Sequence, residues 1–129
     1  MANNKEVNSW PKENVPHDAI LYMRVHRQYI NDDGELAPGV FKNHGSGMST
    51  DWNKYSTPTI TLERAKDLSQ NGVIEMGAGD ARDIPGQTVE HTPDFVGNNR
   101  AHTDVFGEKD PEVRLKFTRI YKWSIPLSI

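Results

Sequence analysis

An arginine and a histidine, Arg24 and His26, stand two residues apart in a run where apolar and polar side chains alternate. A period of two places both on one face of a β-strand, with Leu21, Met23 and Val25 on the other. Arginine presents a planar fork that suits a phosphate or carboxylate, and histidine exchanges a proton near neutral pH. The pair therefore indicates an anion-binding face, and the alternative is an ordinary strand face turned to solvent.

A second group lies in the segment Gly47 to Trp52, where small hydroxyl residues precede an acid. Ser49 and Thr50 suit the ribose or phosphate of a ligand, and Asp51 suits the orientation of a histidine. The same residues also fit a plain turn and strand whose hydroxyls bond the backbone. With Arg24, these three are the predicted ligand-binding residues.

Histidines form the third group. His102 and Asp104 face the same way on one predicted strand, and His91 lies on another. Two histidines and a carboxylate can bind iron or zinc, but no tight spacing such as His-Glu-x-x-His is present, so no metal site is predicted. We expect His26, His91 and His102 to meet at one end of the sheet as the catalytic histidines.

Composition limits the class of protein. The chain has 129 residues and a formal charge of −3, which suits one domain and gives no general attraction to nucleic acid. It has no cysteine, and no apolar run approaches the roughly 20 residues that span a bilayer. No segment resembles a signal peptide. A soluble, cytoplasmic protein without membrane partners is expected.

The elements that must position these groups indicate an α+β fold. We predict an irregular lead-in over residues 1–18, then over 19–129 a single small domain with a mixed or antiparallel sheet of about five strands and two helices. The strands are predicted at 19–26, 48–52, 73–76, 88–91 and 102–106, with a short strand at 40–41 as a further candidate.

Capping residues place the two helices. Thr57 and Pro58 begin the first, which we expect to run to about Ser69 or Gln70 and to stop at Asn71-Gly72. Alternation over 113–117 also fits a strand, but Asp110-Pro111-Glu112 favours a helix from Pro111 to about Lys122.

Two further segments are predicted from their turn and apolar residues. The Gly-rich stretch 77–82 lacks the complete phosphate-binding fingerprint and is predicted to be a loop or bulge. The apolar tail Trp123 to Ile129 must dock on its own core or on a protein partner, which includes a second copy of the chain.

Two short motifs resemble a known family. Leu21-Tyr22-Met23-Arg24 is similar to the first strand of ADP-ribosyltransferase-like folds, and Met48-Ser49-Thr50 is similar to the Ser-Thr-Ser strand that follows it. The resemblance implies NAD as a candidate ligand, with Arg24 at the pyrophosphate and Ser49 at the nicotinamide ribose.

The chain departs from that family at its catalytic glutamate. It has no Glu-x-Glu or Gln-x-Glu, only the isolated Glu75 and Glu90. Some members of the wider fold use histidines, which implies such a role for His91 or His102. A second resemblance, to small bacterial proteins without an assigned activity, covers the segment from about residue 20 to Trp52 and residues 88–107.

Together these patterns favour a small protein that binds or processes a nucleotide or a nucleic-acid phosphate in a pocket of arginine, histidine and serine. Whether it is an enzyme stays open at this stage. The alternative is a non-catalytic interaction or accessory protein that acts through its aromatic residues and its apolar tail.

Overall fold

Six antiparallel strands form one sheet, and the predicted strand that carries Arg24 lies near its centre. The computed structural model describes residues 9 to 127. The strands follow the order β4-β5-β2-β1-β3-β6. Their bounds are β1 Ile20–His26, β2 Gly47–Trp52, β3 Asn71–Gly77, β4 Thr88–His91, β5 His102–Phe106 and β6 Lys122–Ile125.

Three short α-helices accompany the sheet: α1 Pro58–Glu63, α2 Ala78–Asp83 and α3 Pro111–Phe117. The prediction of a single small α+β domain is confirmed, with six strands in place of about five and three α-helices in place of two among the described residues. No helix between residues 9 and 127 is long and apolar enough to cross a membrane.

The core lies against the face of the sheet that the apolar residues of β1 occupy. Leu21 and Val25 are essentially inaccessible to solvent. Phe117 of α3 stacks on Phe41 with ring centroids 5.4 Å apart in the same apolar cluster. Full burial of one such side chain stabilises the fold by about 1.5–3 kcal/mol. The period-two pattern thus decides which face of β1 is inside.

Helix α1 begins as predicted and ends early. Oγ1 of Thr57 accepts the amide of Ile60 at 3.1 Å, and Pro58 takes the first helical position. The predicted end at Ser69 or Gln70 is wrong, because the helix stops at Glu63. Ile60 in α1 is 43% exposed and Leu68 beyond it is 50% exposed, and the carboxylate of Asp67 caps a separate 3-10 turn.

The predicted helix stop at Asn71-Gly72 is also wrong. Both residues begin β3 and pair with β1. Gly72 is needed for space and not for a left-handed conformation, because a Cβ at this position would lie 2.6 Å from the carbonyl oxygen of Ile125 in β6. This glycine lets β6 approach β3.

Three further expectations are corrected by local hydrogen bonding. Residues 77–82, predicted as a loop, contain most of α2, whose Ala78 and Ala81 are buried in the core. The candidate strand at 40–41 is instead the end of a 3-10 helix, Pro38–Val40. Helix α3 is capped by Asp110 as predicted, but it ends at Phe117 and not near Lys122.

The two chain termini lie against the body of the fold as far as they are described. Trp10 packs edge-on against Phe95 at 4.9 Å, and Val15 is buried. At the other end, β6 pairs with β3 and keeps Trp123 and Ile125 partly buried. The start of the predicted irregular lead-in, residues 1–8, lies outside the described residues.

Candidate functional site

A cleft opens where the two central strands separate. Strand β1 pairs with β3 along its whole length, but with β2 only at Leu21–Trp52 and Tyr22–Asp51. Beyond these pairs a cavity of about 560 Å³ takes side chains from both strands. This volume lies in the range of small-molecule sites. The sheet itself therefore provides the walls of the cleft.

Arg24 of β1 lies in this cleft, next to the C-terminal end of α1. Its Nη1 donates at 3.1 Å to the carbonyl oxygen of Thr61, which also accepts the backbone amide of Arg64 at 3.3 Å. Burial lowers the pKa of Arg24, the carboxylate of Asp51 opposes this shift, and the charge of Arg64 adds to it. Arg64 is thus a neighbouring positive charge.

Arg64 is a cleft residue that the sequence patterns did not indicate. It follows directly after α1, lines the cavity, and donates from Nη2 to the carbonyl oxygen of Asn98 at 3.1 Å. Within residues 9 to 127, neither Arg64 nor Arg24 has a carboxylate partner within 4 Å. Two guanidiniums facing one cavity favour an anion between them.

Asp51 anchors the wall next to Arg24. Its buried carboxylate accepts hydrogen bonds from Oγ1 of Thr61 and Nδ2 of Asn99, both at 2.8 Å. Through these bonds it joins α1 and the 94–99 turn to β2. Because both donors occupy its oxygens, Asp51 shapes the cleft by holding its neighbours.

His102 and Ser49 lie side by side on adjacent strands. Nε2 of His102 is 3.2 Å from Oγ of Ser49, and both residues line the cleft. The other ring nitrogen, Nδ1, is 3.0 Å from both the carbonyl oxygen and the hydroxyl of Thr92. The hydroxyl of Thr92 in turn donates to Oδ2 of Asp104 at 3.0 Å.

His26 lines the cleft, and one of its two ring nitrogens accepts a hydrogen bond from the backbone. Nδ1 accepts the amide of Gln28 at 3.0 Å and so caps the short 3-10 helix Arg27–Tyr29. In the neutral ring the proton then lies on Nε2, which can donate to a ligand. His26 and His102 thus line the same cleft.

His91 does not line this cleft. It pairs with Thr103 in the β4–β5 ladder, which places its side chain on the core face, whereas His102 lies opposite Asp51 on the cleft face. Its ring is 2% exposed and accepts from the amide of Glu13. His91 is therefore left out of the site that we propose.

Thr50 forms part of the cleft wall, but its polar group is not available to a ligand. It borders the cavity, but its side chain is 3% exposed and its hydroxyl donates to the carbonyl oxygen of Thr103 at 2.8 Å. Of the four predicted ligand-binding residues, Arg24 and Ser49 keep polar groups directed at the cavity, and Thr50 and Asp51 use theirs within the protein.

Aromatic and apolar side chains complete the cleft. Only Tyr22 and Tyr29 among them are partly open to solvent, the others being buried in the core, and none was singled out by sequence pattern as a site residue. These residues are Tyr22, Met23, Val25, Tyr29, Val40 and Met48. In the part of the chain from residue 9 to residue 127, no group of three histidine, cysteine or acidic side chains is arranged to hold a metal ion.

Comparison with known proteins gives no relative. No family model, curated protein or solved structure matches the chain. The resemblance to ADP-ribosyltransferase-like folds stays a prediction carried by two short motifs.

The predicted partner surface on Trp123 to Ile129 also stays a prediction. As far as Leu127 the tail is partly placed on its own sheet, and Trp123 packs edge-on against Tyr121 at 6.3 Å. Ser124 donates to the carboxylate of Glu75 in β3 at 2.7 Å. These contacts pair the strand Lys122–Ile125 with β3 of the same chain.

Proposed function

We propose that the cleft between β1 and β2 binds a nucleotide through its phosphate. The observation that supports this most is that two guanidiniums, Arg24 and Arg64, line one cavity, and among the described residues neither has a carboxylate within 4 Å. A phosphate bound by both would neutralise their charge and accept bidentate hydrogen bonds. The proposal therefore assigns these two arginines as the phosphate ligands.

The charges of the cleft support an anion in a protein of net negative charge. Its lining carries Arg24, Arg64 and Lys42 against Asp51 and Asp94. The Asp51 carboxylate is already bonded to Thr61 and Asn99. Positive charge in the cleft thus exceeds what its carboxylates neutralise, although the whole chain has a formal charge of −3.

A small nucleotide fits this site better than a long nucleic acid. Nucleic-acid binding draws its affinity from many phosphate contacts on a basic surface, which a chain of net charge −3 does not favour. Tyr22 and Tyr29, which line the cleft and are only partly buried, supply a packing surface for one base. Nε2 of His26 and Oγ of Ser49 would contact the ribose or the phosphate.

The test is a calorimetric titration of the full chain with ATP, with NAD and with a short single-stranded RNA. Loss of one charge-assisted contact costs about 1.5–3 kcal/mol, so Arg24→Ala and Arg64→Ala should each weaken binding about 10- to 100-fold. Arg119→Ala is the matched control, because Arg119 is exposed and does not line the cleft.

Three results would decide against the proposal. If wild-type protein binds neither ATP nor NAD at millimolar concentration, the cleft is not a nucleotide site. If wild type and Arg24→Ala bind with equal affinity, Arg24 is not a phosphate ligand. If RNA binds more tightly than either nucleotide, the ligand is a nucleic-acid strand and not a mononucleotide.

A further inference from the structure

The proton of His102 is fixed on one ring nitrogen by its surroundings. Nδ1 lies 3.0 Å from the carbonyl oxygen of Thr92, and a carbonyl only accepts hydrogen bonds. Nδ1 also lies 3.0 Å from the hydroxyl of Thr92, which gives its own proton to Asp104. Both contacts require hydrogen on Nδ1, so Nε2 of the neutral ring carries the free lone pair.

That lone pair is directed at the hydroxyl of Ser49. The distance from Nε2 to Oγ is 3.2 Å, so the hydroxyl donates to the ring. A nucleophile, a base, and a third group that orients the base form the arrangement that activates serine in hydrolytic enzymes on unrelated folds. Here Thr92 takes the orienting place, and Asp104 fixes the hydroxyl of Thr92.

The strands hold the pair without help from a mobile loop. Ser49 lies opposite Asp104, and Asp51 lies opposite His102, in the continuous β2–β5 ladder. The glycine at position 47 leaves room for the side chain of Asp104, since a Cβ on residue 47 would lie 2.9 Å from it. Sites on paired strands keep their geometry better than sites on loops.

We propose that Ser49 is a nucleophile, with His102 as its general base, and that it attacks the phosphorus atom of the ligand in the cleft. The identity of the electrophile rests on the proposed nucleotide-binding function, because Arg24 and Arg64 line the same cavity and would stabilise charge on the phosphoryl oxygens. The activation of Ser49 rests on its own geometry.

The reaction is hydrolysis in two displacements. Oγ of Ser49 forms a bond to phosphorus while the bond to the leaving oxygen breaks, and the hydroxyl proton passes to Nε2 of His102 and then to the leaving oxygen. Water next attacks the phosphoserine and gives its proton to Nε2. The Oγ–phosphorus bond breaks, and the proton returns to Oγ. Water is the only co-reactant.

The test uses diisopropyl fluorophosphate, an uncharged phosphorus electrophile, on the full chain, with intact-mass detection and peptide mapping. We expect one adduct per chain on Ser49. His102→Ala should slow the labelling at least about 100-fold, the usual contribution of a general base. Ser46→Ala, which removes an exposed serine of the turn before β2, should not change the rate.

Variants at Thr92 separate orientation from mere folding. Thr92→Val should slow the labelling, because valine keeps the shape of threonine but lacks the hydroxyl that joins His102 to Asp104, and Thr92→Ser should retain it, because serine keeps that hydroxyl. Labelling of wild type no faster than of Ser49→Ala would overturn the proposal. Equal rates for wild type and a folded His102→Ala, with folding checked by near-ultraviolet circular dichroism, would overturn it as well.

The two proposals fail separately. If wild-type protein is labelled on Ser49 but binds neither ATP nor NAD, the nucleotide-binding proposal is wrong and the proposal of an activated Ser49 is kept. If it binds a nucleotide and Ser49 is not labelled, the cleft is a binding site and Ser49 is not a nucleophile.

Discussion

The backbone amide of Glu13 donates to Nδ1 of His91 over 3.0 Å, and this bond fastens the N-terminal segment to the core face of the sheet. Nε2 of the same ring donates to the carbonyl oxygen of Arg100 at 2.7 Å. Both nitrogens of a buried histidine are therefore used for structure. The ring is also stacked on Tyr55, with centroids 6.0 Å apart.

His91→Leu should destabilise the fold and leave the cleft intact. It strands the Glu13 amide and the Arg100 carbonyl without partners, which costs about 2–4 kcal/mol in the free energy of unfolding. Urea unfolding measures this, and His44→Ala, at an exposed histidine, should change it by less than about 0.5 kcal/mol. A large loss of nucleotide affinity in His91→Leu at full folding would place His91 in the site after all.

Acid should loosen the N-terminal segment through Glu13. Hydrogen bonds from Lys54 and then from Tyr55 lower the pKa of Glu13 from 4.5 to about 2. A carboxyl group whose pKa is lower in the folded state adds stability above its unfolded pKa, and this is lost as the pH falls from about 4.5 to about 2. The difference in Tm between wild type and Glu13→Gln should therefore shrink over that range.

The control for this pH series is Glu63→Gln, which changes an exposed carboxylate of α1. It should follow the wild-type curve at every pH. Salt should reduce the Glu13 effect, because the Lys54 side chain is 52% exposed and the pair is screened. An unchanged Tm difference between neutral pH and pH of about 2 would contradict this role of Glu13.

Asp51→Asn should weaken both the fold and the cleft. The new amide group points donor hydrogens at Asn99 or Thr61, where the carboxylate accepted from both, and the expected cost is about 2–4 kcal/mol of unfolding free energy. Asp83→Asn, at an exposed aspartate of α2, should stay within about 0.5 kcal/mol. Chemical denaturation of the two variants side by side gives the answer.

Gly72→Ala should push β6 away from β3. The added methyl group meets the carbonyl oxygen of Ile125 at 2.6 Å, and such overpacking costs about 1–3 kcal/mol. Gly39→Ala is the matched control, because its methyl group meets open space. Tryptophan fluorescence should report the change at Trp123, and equal unfolding midpoints for the two variants would show that β6 can shift without cost.

The face of the strand on which each side chain lies could be predicted from the sequence, but the register between neighbouring strands could not. Strict alternation assigned the faces of β1 and β2, so Arg24 and Ser49 were placed correctly relative to their own strands. His91 and His102 were expected to converge, but the β4–β5 register pairs His91 with Thr103. Register depends on long-range packing, which a local pattern does not carry.

Arg64 and Thr92 were missed for different reasons. Arg64 was taken as part of a longer helix, and only the early end of α1 places it at the cleft. Thr92 acts through its position after β4, with its carbonyl group and its hydroxyl both on His102. A Thr-Pro pair at the end of a predicted strand resembles any strand exit, so the sequence offers no signal for this role.

Because the β1–β2 ladder is short, the sheet consists of two three-stranded halves, here called ribbons, that are joined by few ladder pairs. One ribbon is β4-β5-β2 and the other is β1-β3-β6, and only Leu21–Trp52 and Tyr22–Asp51 connect them by ladder pairing. The cleft therefore has one wall on each ribbon. Hydrogen exchange should detect a bound ligand as slower exchange on both ribbons at once, although each contributes separate residues.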